Sequence, residues 1–248
     1  MAYGKSLYDK TRGLGTEIAE GSICDFHQLW GRAREWRGEM AGEDAEIFLE
    51  ERDPNIYKDY ATPLADQYSY VARNLARRKD LEITDPGYSL PKSKKLQIMG
   101  NIEGENIPLT EVFVSSNVSA DRTKEPYVGF RQRGFGDLGE PNRMVHTSAE
   151  YVPQIMQHVE ALYAKVTDAS EPDGRALKTL AEIHWWMAHA MPDKRGSAAK
   201  TEMCVRSIAQ ARGMDLGPMK HGIVPDLEAL TVPLKDFVRK YEGFFEAR

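Results

Sequence analysis

The sequence predicts a predominantly helical α+β protein with a small β-containing lobe inserted among the helices at roughly 81–145. Apolar residues recur with a period near 3.6 before and after this stretch, which is typical of amphipathic helices. Within it prolines and glycines become frequent, and two segments rich in β-forming residues, 96–99 and 107–114, flank a turn at 103–106. The chain is therefore expected to form one domain, 1–248, built of two lobes.

Two helices are predicted before the insertion. The first carries an apolar stripe with helical spacing from Leu29 to Met40, after a break at 22–25. The second is predicted to begin at Thr62 and Pro63, because threonine is a favourable N-cap residue and proline is favoured at the first helical position. Its apolar stripe would comprise Leu64, Tyr68, Val71 and Leu75.

Helices return after the insertion and continue to the end of the chain. Residues 147–150, Thr-Ser-Ala-Glu, match a capping box and predict the start of one helix. Another is predicted to stop at Pro192, a third to run from Ser197 to a close at Gly213, and a last one to begin at Pro233. Their apolar positions are Tyr151, Ile155, Val159 and Leu162, then Leu177, Leu180, Ile183 and Met187, and finally Leu234, Phe237, Tyr241 and Phe244.

Composition excludes several classes of protein. The formal charge of −5 and the pI near 5.8 provide no basic surface for nucleic acid, so no nucleic-acid partner is expected. No run approaches the roughly 18 apolar residues of a membrane span. Ala2 stands where N-myristoylation requires glycine, so membrane anchoring is not predicted from this sequence.

The cysteines and the helix pattern add two further expectations. Cys24 and Cys204 are far apart and belong to no CxxC pair, which argues against a disulfide framework or a thiolate metal site. No coiled-coil pattern is present, so a monomer is expected.

The segment 194–200, Lys-Arg-Gly-Ser-Ala-Ala-Lys, has the composition of an anion-binding site. Gly196 before a helix lets the backbone approach a ligand, and the free N–H groups and the positive end of the macrodipole attract anions. The guanidinium of Arg195 can direct two donors at phosphate oxygens. On these residues alone a structural alternative is equally open, in which Ser197 is an ordinary N-cap and Arg195 is a solvated side chain.

Three more polar residues lie at predicted helix starts. Asp226 can cap a short helix or reach a ribose, a base or a substrate hydroxyl, capping being the commoner use. Thr62 has the same two options, with the stronger structural explanation in the Thr-Pro pair. His146 directly precedes Thr147, where an imidazole can contact a ligand or satisfy a loop carbonyl, and the loop role is favoured from the residues alone.

Other motifs indicate packing. His184 and His189 lie five residues apart in a helix and no glutamate completes an HExxH pattern, so no metal site is predicted. Trp185 and Trp186 are predicted core residues. Residues 134–139 match GxGxxG, but no helix is predicted after them, so the context of a dinucleotide-binding loop is missing.

The run 183–202, IHWWMAHAMPDKRGSAAKTE, resembles the C-terminal signature of the AvrB family of type III secreted plant-pathogen effectors. The resemblance extends in the same order over nearly the whole chain. Its other segments are ICDFHQLWGRAREWR at 23–37, Thr62-Pro63, His146-Thr147 and HGIVPDLEAL at 221–230. It implies a bilobed, Fido-like helical core, related to the Fic fold, with a second lobe inserted in it.

The resemblance also implies a function. The family's threonine, histidine, arginine and aspartate that contact ligand and target fall on Thr62, His146, Arg195 and Asp226. They imply a nucleotide-linked ligand between the lobes and transfer of a deoxysugar, rhamnose, from UDP- or dTDP-rhamnose to a threonine of a host plant immune regulator. The nucleotide-sugar would be a substrate, and no tightly bound cofactor is expected. Secretion by the type III system into the host plant cell is implied as well.

The implied roles divide the site into two parts. Arg195 and the amides after Gly196, beginning with that of Ser197, would stabilise the leaving diphosphate. Asp226 or His146 would orient the sugar or take the hydroxyl proton. The resemblance leaves open which of the two is the base. Thr62 would contact the target peptide or the nucleotide.

Two alternatives stay open beside the transferase. One is a non-catalytic effector that binds a host protein through the same cleft. The other is a Fic-like nucleotidyl transferase. An ADP-like nucleotide is a further expected ligand of the cleft beside the nucleotide-sugar. The Fic signature HPFx(D/E)GNGR is absent and MPDKRGSAA at 191–199 lies in the equivalent region, which argues against AMP transfer by the Fic histidine.

Overall fold

Helices dominate the structure, and its strands fall in the middle of the chain. The computed structural model describes residues 2–53, 61–63, 74–75, 78, 81–84, 94–114 and 141–246. Its α-helices are α1 (Ala2–Ala19), α2 (Phe26–Ala41), α3 (Ala45–Leu49), α4 (Val152–Thr167), α5 (Asp173–Ala190), α6 (Ser197–Ala211), α7 (Pro225–Thr231) and α8 (Leu234–Lys240). Its strands are β1 (Ala61–Pro63), β2 (Glu82–Thr84), β3 (Lys94–Ile102), β4 (Glu105–Val114) and β5 (Pro141–Val145). The predicted class, predominantly helical α+β, is confirmed.

Helix α2 follows the predicted break at 22–25. The carboxylate of Asp25 accepts a hydrogen bond from the backbone N–H of Gln28 at 2.7 Å, which satisfies one of the free donors of the first turn. The stripe predicted from Leu29 to Met40 is on the inner face of the helix, where Leu29, Trp30, Ala33 and Trp36 are buried. This helix is therefore confirmed.

Helix α5 is the central element of the helical part. It packs against α4, α6, α7 and α8, and every residue from Thr179 to Ala190 is buried except the half-buried Glu182. A helix buried on all sides must be apolar or must pair its polar groups. Trp185 and Trp186 are almost wholly buried, as predicted for core residues.

The histidines of α5 belong to the core. The Nδ1 atom of His184 lies 2.8 Å from the hydroxyl of Tyr241, and the Nδ1 atom of His189 lies 3.0 Å from the hydroxyl of Thr110. Burial lowers the pKa of both imidazoles to about 3, so both are neutral at pH 7. The described residues contain no group of three or more His, Cys, Asp or Glu side chains that could hold a metal ion.

The strands form one antiparallel sheet in the order β1-β5-β4-β3-β2. Its hairpin β3–β4 turns at Glu103 and Gly104, whose φ angles of 52° and 93° suit the tight turn that matches strand twist. The sequence placed this turn correctly at 103–106. It is shorter than predicted, because Glu105 already pairs with Ile102.

The helix predicted to begin at Thr62 and Pro63 is wrong at its start. Both residues lie in β1, an edge strand, where Thr62 pairs with Met144 of β5. A residue before proline favours the extended backbone, and an edge strand tolerates proline because its missing N–H can face outward. Asn74 and Leu75 are helical, and the intervening part of the predicted helix lies outside the described residues.

The capping box predicted at 147–150 is also wrong. The hydroxyl of Thr147 is buried and donates to the carbonyl of His189 at 2.8 Å. That carbonyl is in the last turn of α5, where carbonyls lack intrahelical partners. A short 3₁₀ turn, Ala149–Tyr151, starts the next helix instead, with no side-chain cap. The apolar face predicted for α4 is confirmed, since Ile155, Val159 and Leu162 are buried.

The remaining predicted helices are confirmed. Helix α5 ends at Ala190 and Pro192 follows, α6 spans Ser197–Ala211 with Gly213 beyond it at φ 69°, and α8 begins after Pro233. Helix α1 packs along α6, and a Cβ atom on Gly15 would lie only 2.7 Å from the Cβ of Gln210, so glycine permits this close approach. None of the described helices combines the length and the apolar character that a membrane span requires. The GxGxxG match at 134–139 lies outside the described residues.

Candidate functional site

The segment between α5 and α6 carries Arg195, Gly196 and Ser197. Gly196 is the N-cap of α6, in the left-handed conformation at φ 77°, and no side chain caps this helix. Ser197 is the first helical residue and is buried, with its Oγ 3.4 Å from the backbone nitrogen of Asp193. The alternative that makes Ser197 the N-cap is therefore wrong, and the first amides of α6 keep no side-chain cap.

Gly196 is required by packing as well as by its φ angle. A Cβ atom there would lie 2.9 Å from Cδ1 of Phe48 and 3.1 Å from Cγ of Arg37. The guanidinium of Arg37 stacks on the Phe48 ring, with Cζ 4.2 Å from the ring centroid. The space next to the Gly196 Cα atom is therefore filled by these two side chains.

Arg195 itself is exposed. Its guanidinium has no hydrogen bond, ion pair or ring contact with any other described residue, whereas its backbone carbonyl accepts a hydrogen bond from Nζ of Lys200 at 3.0 Å. The backbone of this residue is thus held, while its charged group is available to a ligand.

His146 follows directly after β5 and is 6% exposed. Burial, with a smaller contribution from the positive charge of Arg52, lowers the pKa of His146 to about 4. The imidazole is therefore neutral at pH 7. A neutral imidazole can donate or accept a hydrogen bond, but one with so low a pKa is a weak general base.

Thr62 lies near His146 along the backbone of the sheet. Thr62 is opposite Met144, two residues before His146, which corresponds to a displacement of roughly 7 Å along the strand. Thr62 is thus in β1, and His146 directly follows the strand that pairs with β1. The side chain of Thr62 lies outside what the structure describes.

Asp226 is the second residue of α7 and has a distinctive environment. The N-cap of α7 is Val224 and no side chain caps this helix, so Asp226 does not fill the predicted capping role. Its carboxyl is partly buried, and its Oδ1 atom is shielded from solvent without a hydrogen-bond partner among the described residues. Burial raises the pKa of Asp226 to about 7, and the negative charge of Glu202 adds to the rise, although the residue's own backbone N–H opposes it.

Arg52 connects the His146 side of this region to the Arg195 side. One guanidinium nitrogen donates to the carbonyl of Ala190 at 3.1 Å, and another donates to the carbonyl of Thr147. The backbone N–H of Arg52 also donates to the carbonyl of Pro192 at 2.9 Å. Arg52, which is buried, thus forms hydrogen bonds both to the residue after His146 and to the segment that precedes Arg195.

Asp226 belongs to a different group of side chains. Burial raises the pKa of Tyr241, and the negative charge of Asp226 adds to that rise. The hydroxyl of Tyr241 is hydrogen-bonded to Nδ1 of His184 in α5. The negative charge of Glu202 in α6 adds to the rise in the pKa of Asp226 that burial causes. A cavity of about 400 Å³ in the described part of the chain lies between α1, α6 and residues 215–219, and its lining includes Glu202 but none of the predicted site residues.

Sequence reasoning missed the buried charges next to the site. Asp193 and Lys200 have fully buried side chains and pair with each other, and Asp193 also pairs with Arg34. One signal was available for Lys200. It lies on the same face of α6 as Ser197, Cys204 and other buried positions, and a lysine within a buried stripe indicates a buried partner.

Comparison with known proteins identifies the family. The family model described as avirulence protein, AvrB/AvrC, matches residues 1–248. The chain is 33% identical over 258 aligned positions to Avirulence protein B of Pseudomonas savastanoi pv. glycinea, an alignment that covers 99% of this chain and 79% of that protein. The resemblance noted from the run at 183–202 is thereby confirmed. The chain belongs to the AvrB/AvrC family of avirulence proteins.

Proposed function

We propose that this avirulence protein is secreted into host plant cells by a type III system and glycosylates a host immune regulator there. Its donor would be a nucleotide-linked deoxysugar, UDP- or dTDP-rhamnose, and its acceptor a threonine hydroxyl. The observation that carries the proposal is Asp226, whose shielded Oδ1 atom has no hydrogen-bond partner in the described part of the chain and whose pKa is raised to about 7. A carboxyl with such a pKa is suited to act as a general base at neutral pH.

The acceptor side of the reaction depends on Asp226. The threonine oxygen forms a bond to the anomeric carbon while its proton passes to the Asp226 carboxylate. His146 is less suited to this step, because an imidazole with a pKa of about 4 has little affinity for the proton. A neutral His146 would orient the sugar by a hydrogen bond, and Thr62 would contact the peptide or the nucleotide.

The leaving group depends on Arg195. The bond between the anomeric carbon and the diphosphate oxygen breaks, and the nucleoside diphosphate leaves with the electron pair. Arg195 is exposed with no described partner, and the amides that follow Gly196 begin a 15-residue helix without a side-chain cap. A guanidinium and a helix N-terminus both stabilise the charge that develops on phosphate oxygens.

The first test is calorimetric titration with UDP, dTDP and ADP. We expect the natural protein to bind UDP or dTDP, and Arg195→Ala to weaken that binding strongly while circular dichroism shows an unchanged fold. If none of the three nucleotides binds the natural protein, the nucleotide site does not exist. The predicted residues would then be contacts for a host protein, and the non-catalytic alternative would replace the proposal.

The second test is mass spectrometry of a plant immune-regulator peptide incubated with the protein and UDP- or dTDP-rhamnose. Addition of one deoxyhexose to a threonine is expected, and Asp226→Asn should remove it. The matched control is Glu228→Gln, a carboxyl of the same helix α7 whose pKa is also raised by burial. Addition of AMP from ATP in place of the sugar would favour the Fic-like nucleotidyl transferase.

A further inference from the structure

Asp193 is the centre of a buried ion cluster two residues before Arg195. Its carboxylate accepts hydrogen bonds from Nε and Nη2 of Arg34 at 2.9 and 2.7 Å and from Nζ of Lys200 at 2.5 Å. The indole N–H of Trp30 lies 3.4 Å from the same carboxylate. The side chains of Asp193 and Lys200 are both fully buried. Each charge in this cluster therefore has a partner of opposite sign.

Lys200 uses all of its donors within the protein. Besides Asp193, its ammonium group donates to the carbonyl of Phe48 and to the carbonyl of Arg195 at 3.0 Å. An ammonium group has three donors, so none is left for a ligand. Lys200 thus fastens the backbone of Arg195 to the first turn of α6, and its charge does not itself serve the site.

The same segment is fixed from its other side by residues 48–53. The N–H of Lys194 donates to the carbonyl of Glu50 at 3.0 Å, and Glu51 forms an isolated antiparallel bridge with Asp193. A carboxylate oxygen of Glu51 lies 2.6 Å from Nη1 of Arg34. The backbone before Arg195 is therefore held by a ladder as well as by the ion cluster.

Stability alone is a poor explanation for this cluster. Removing two charges from water costs about as much as their attraction returns, and well-packed apolar residues of similar volume are often as stable or more so. What the cluster supplies, and apolar residues would not, is a fixed position for particular backbone atoms. The carbonyl oxygen of Arg195 is one of the atoms that Lys200 holds in this way.

We infer that Asp193 and Lys200 are positioning residues for Arg195, which they hold in place to bind the diphosphate of a nucleotide-linked ligand. The inference rests on the proposed function, because it assumes that Arg195 contacts that ligand. Lys200 acts through Arg195 and contacts no ligand atom.

A thermodynamic cycle tests this inference with UDP as the probe. Affinity is measured by calorimetry for the natural protein, Lys200→Met, Arg195→Lys and the double variant. Arg195→Lys keeps a charge and therefore measurable binding. Lys200→Met is expected to weaken UDP binding about tenfold in the natural background, because a misplaced donor loses its alignment with the phosphate, and to cause little further loss in the Arg195→Lys background.

A purely structural role would give a different pattern. Lys200→Met would then weaken UDP binding equally in both backgrounds, and that result, or unchanged affinity in both, overturns the inference. Ile208→Ala, a buried change two turns along the same helix, is the control that lowers stability without changing affinity. If Lys200→Met does not fold, Lys200→Gln takes its place in the same cycle.

The same measurements separate this inference from the proposed function. The natural protein could bind UDP while Lys200→Met has equal effects in both backgrounds. That result would overturn the positioning role and would still support the nucleotide site. Absence of binding by the natural protein to UDP, dTDP and ADP removes the nucleotide site, and the positioning role is overturned with it.

Discussion

Asp193, which is fully buried, and Asp226, which is partly buried, differ in how neighbouring groups compensate their charge. Asp193 receives hydrogen bonds from Arg34 and Lys200 and is fully surrounded by compensating groups. Asp226 has an Oδ1 atom with no hydrogen-bond partner among the described residues, and its charged neighbour Glu202 has the same sign. A compensated carboxylate holds its partners in fixed positions, whereas an uncompensated one has a raised pKa and can exchange a proton near neutral pH.

Asp193→Ala removes the compensated carboxylate and should have the largest effect on the free energy of unfolding. It leaves Lys200 buried without its counter-charge, so we expect a loss of about 3–5 kcal/mol in the free energy of unfolding. Urea denaturation followed by circular dichroism measures the loss. A decrease of less than about 1 kcal/mol, the range of surface pairs, would show that the cluster is not compensating a buried charge.

The pH dependence of sugar transfer tests whether Asp226, the uncompensated carboxyl, accepts the proton. If Asp226 is the base, kcat/KM should rise about tenfold per pH unit below a pKa of about 7 and level off above it, because only the carboxylate accepts the proton. The rates are measured with the threonine peptide and the nucleotide-sugar. A rise centred near pH 4 would instead assign the titration to His146.

The stability of the protein should respond to Asp226 with the opposite sign. The pKa of Asp226 is raised in the folded state, so between about pH 4 and pH 7 the folded state keeps a proton that the unfolded state has lost. The stability contributed by this group is therefore present below pH 4 and is lost as the pH rises to about 7. Thermal unfolding of Asp226→Asn should lack this part of the decline. Identical profiles for the two proteins would contradict a raised pKa.

Arg239→Ala provides the smallest expected effect and sets the scale for the others. Arg239 pairs with Asp236 at 2.9 Å, but its side chain is 72% exposed, so water and salt screen the pair. We expect less than about 1 kcal/mol of change in the free energy of unfolding, from the same urea titration. A loss as large as that of Asp193→Ala would mean that burial does not distinguish the two pairs.

Much of the fold could be predicted because local sequence determines it. The apolar stripe from Leu29 to Met40 and the stop at Pro192 depend only on neighbouring residues, and both helices were placed correctly. The turn at Glu103 and Gly104 was found for the same reason. Thr62 was misplaced because its strand is defined by pairing with Met144, far along the chain, which outweighed the local helix signal.

The candidate site was predicted less completely, for a related reason. Arg195 and Asp226 could be named from the sequence, but the charge that surrounds each of them could not. Arg34 and Asp193 are 159 residues apart in the sequence, and no local pattern predicts such a contact. The Asp226 Oδ1 atom, which has no hydrogen-bond partner among the described residues, likewise owes its shielding to tertiary packing. Compensation of charge is a property of the folded chain, and it distinguishes Asp193 from Asp226.

The backbone ladder between residues 50–52 and 192–194 has a consequence for the entropy of binding. A loop that orders only when its ligand arrives loses conformational freedom at that moment, and this loss subtracts from affinity. Here the carbonyl of Glu50 and the N–H of Arg52 already restrain the chain before Arg195. The conformational entropy of this backbone is therefore lost during folding and not on binding. An anion would need to immobilise little more than the Arg195 side chain.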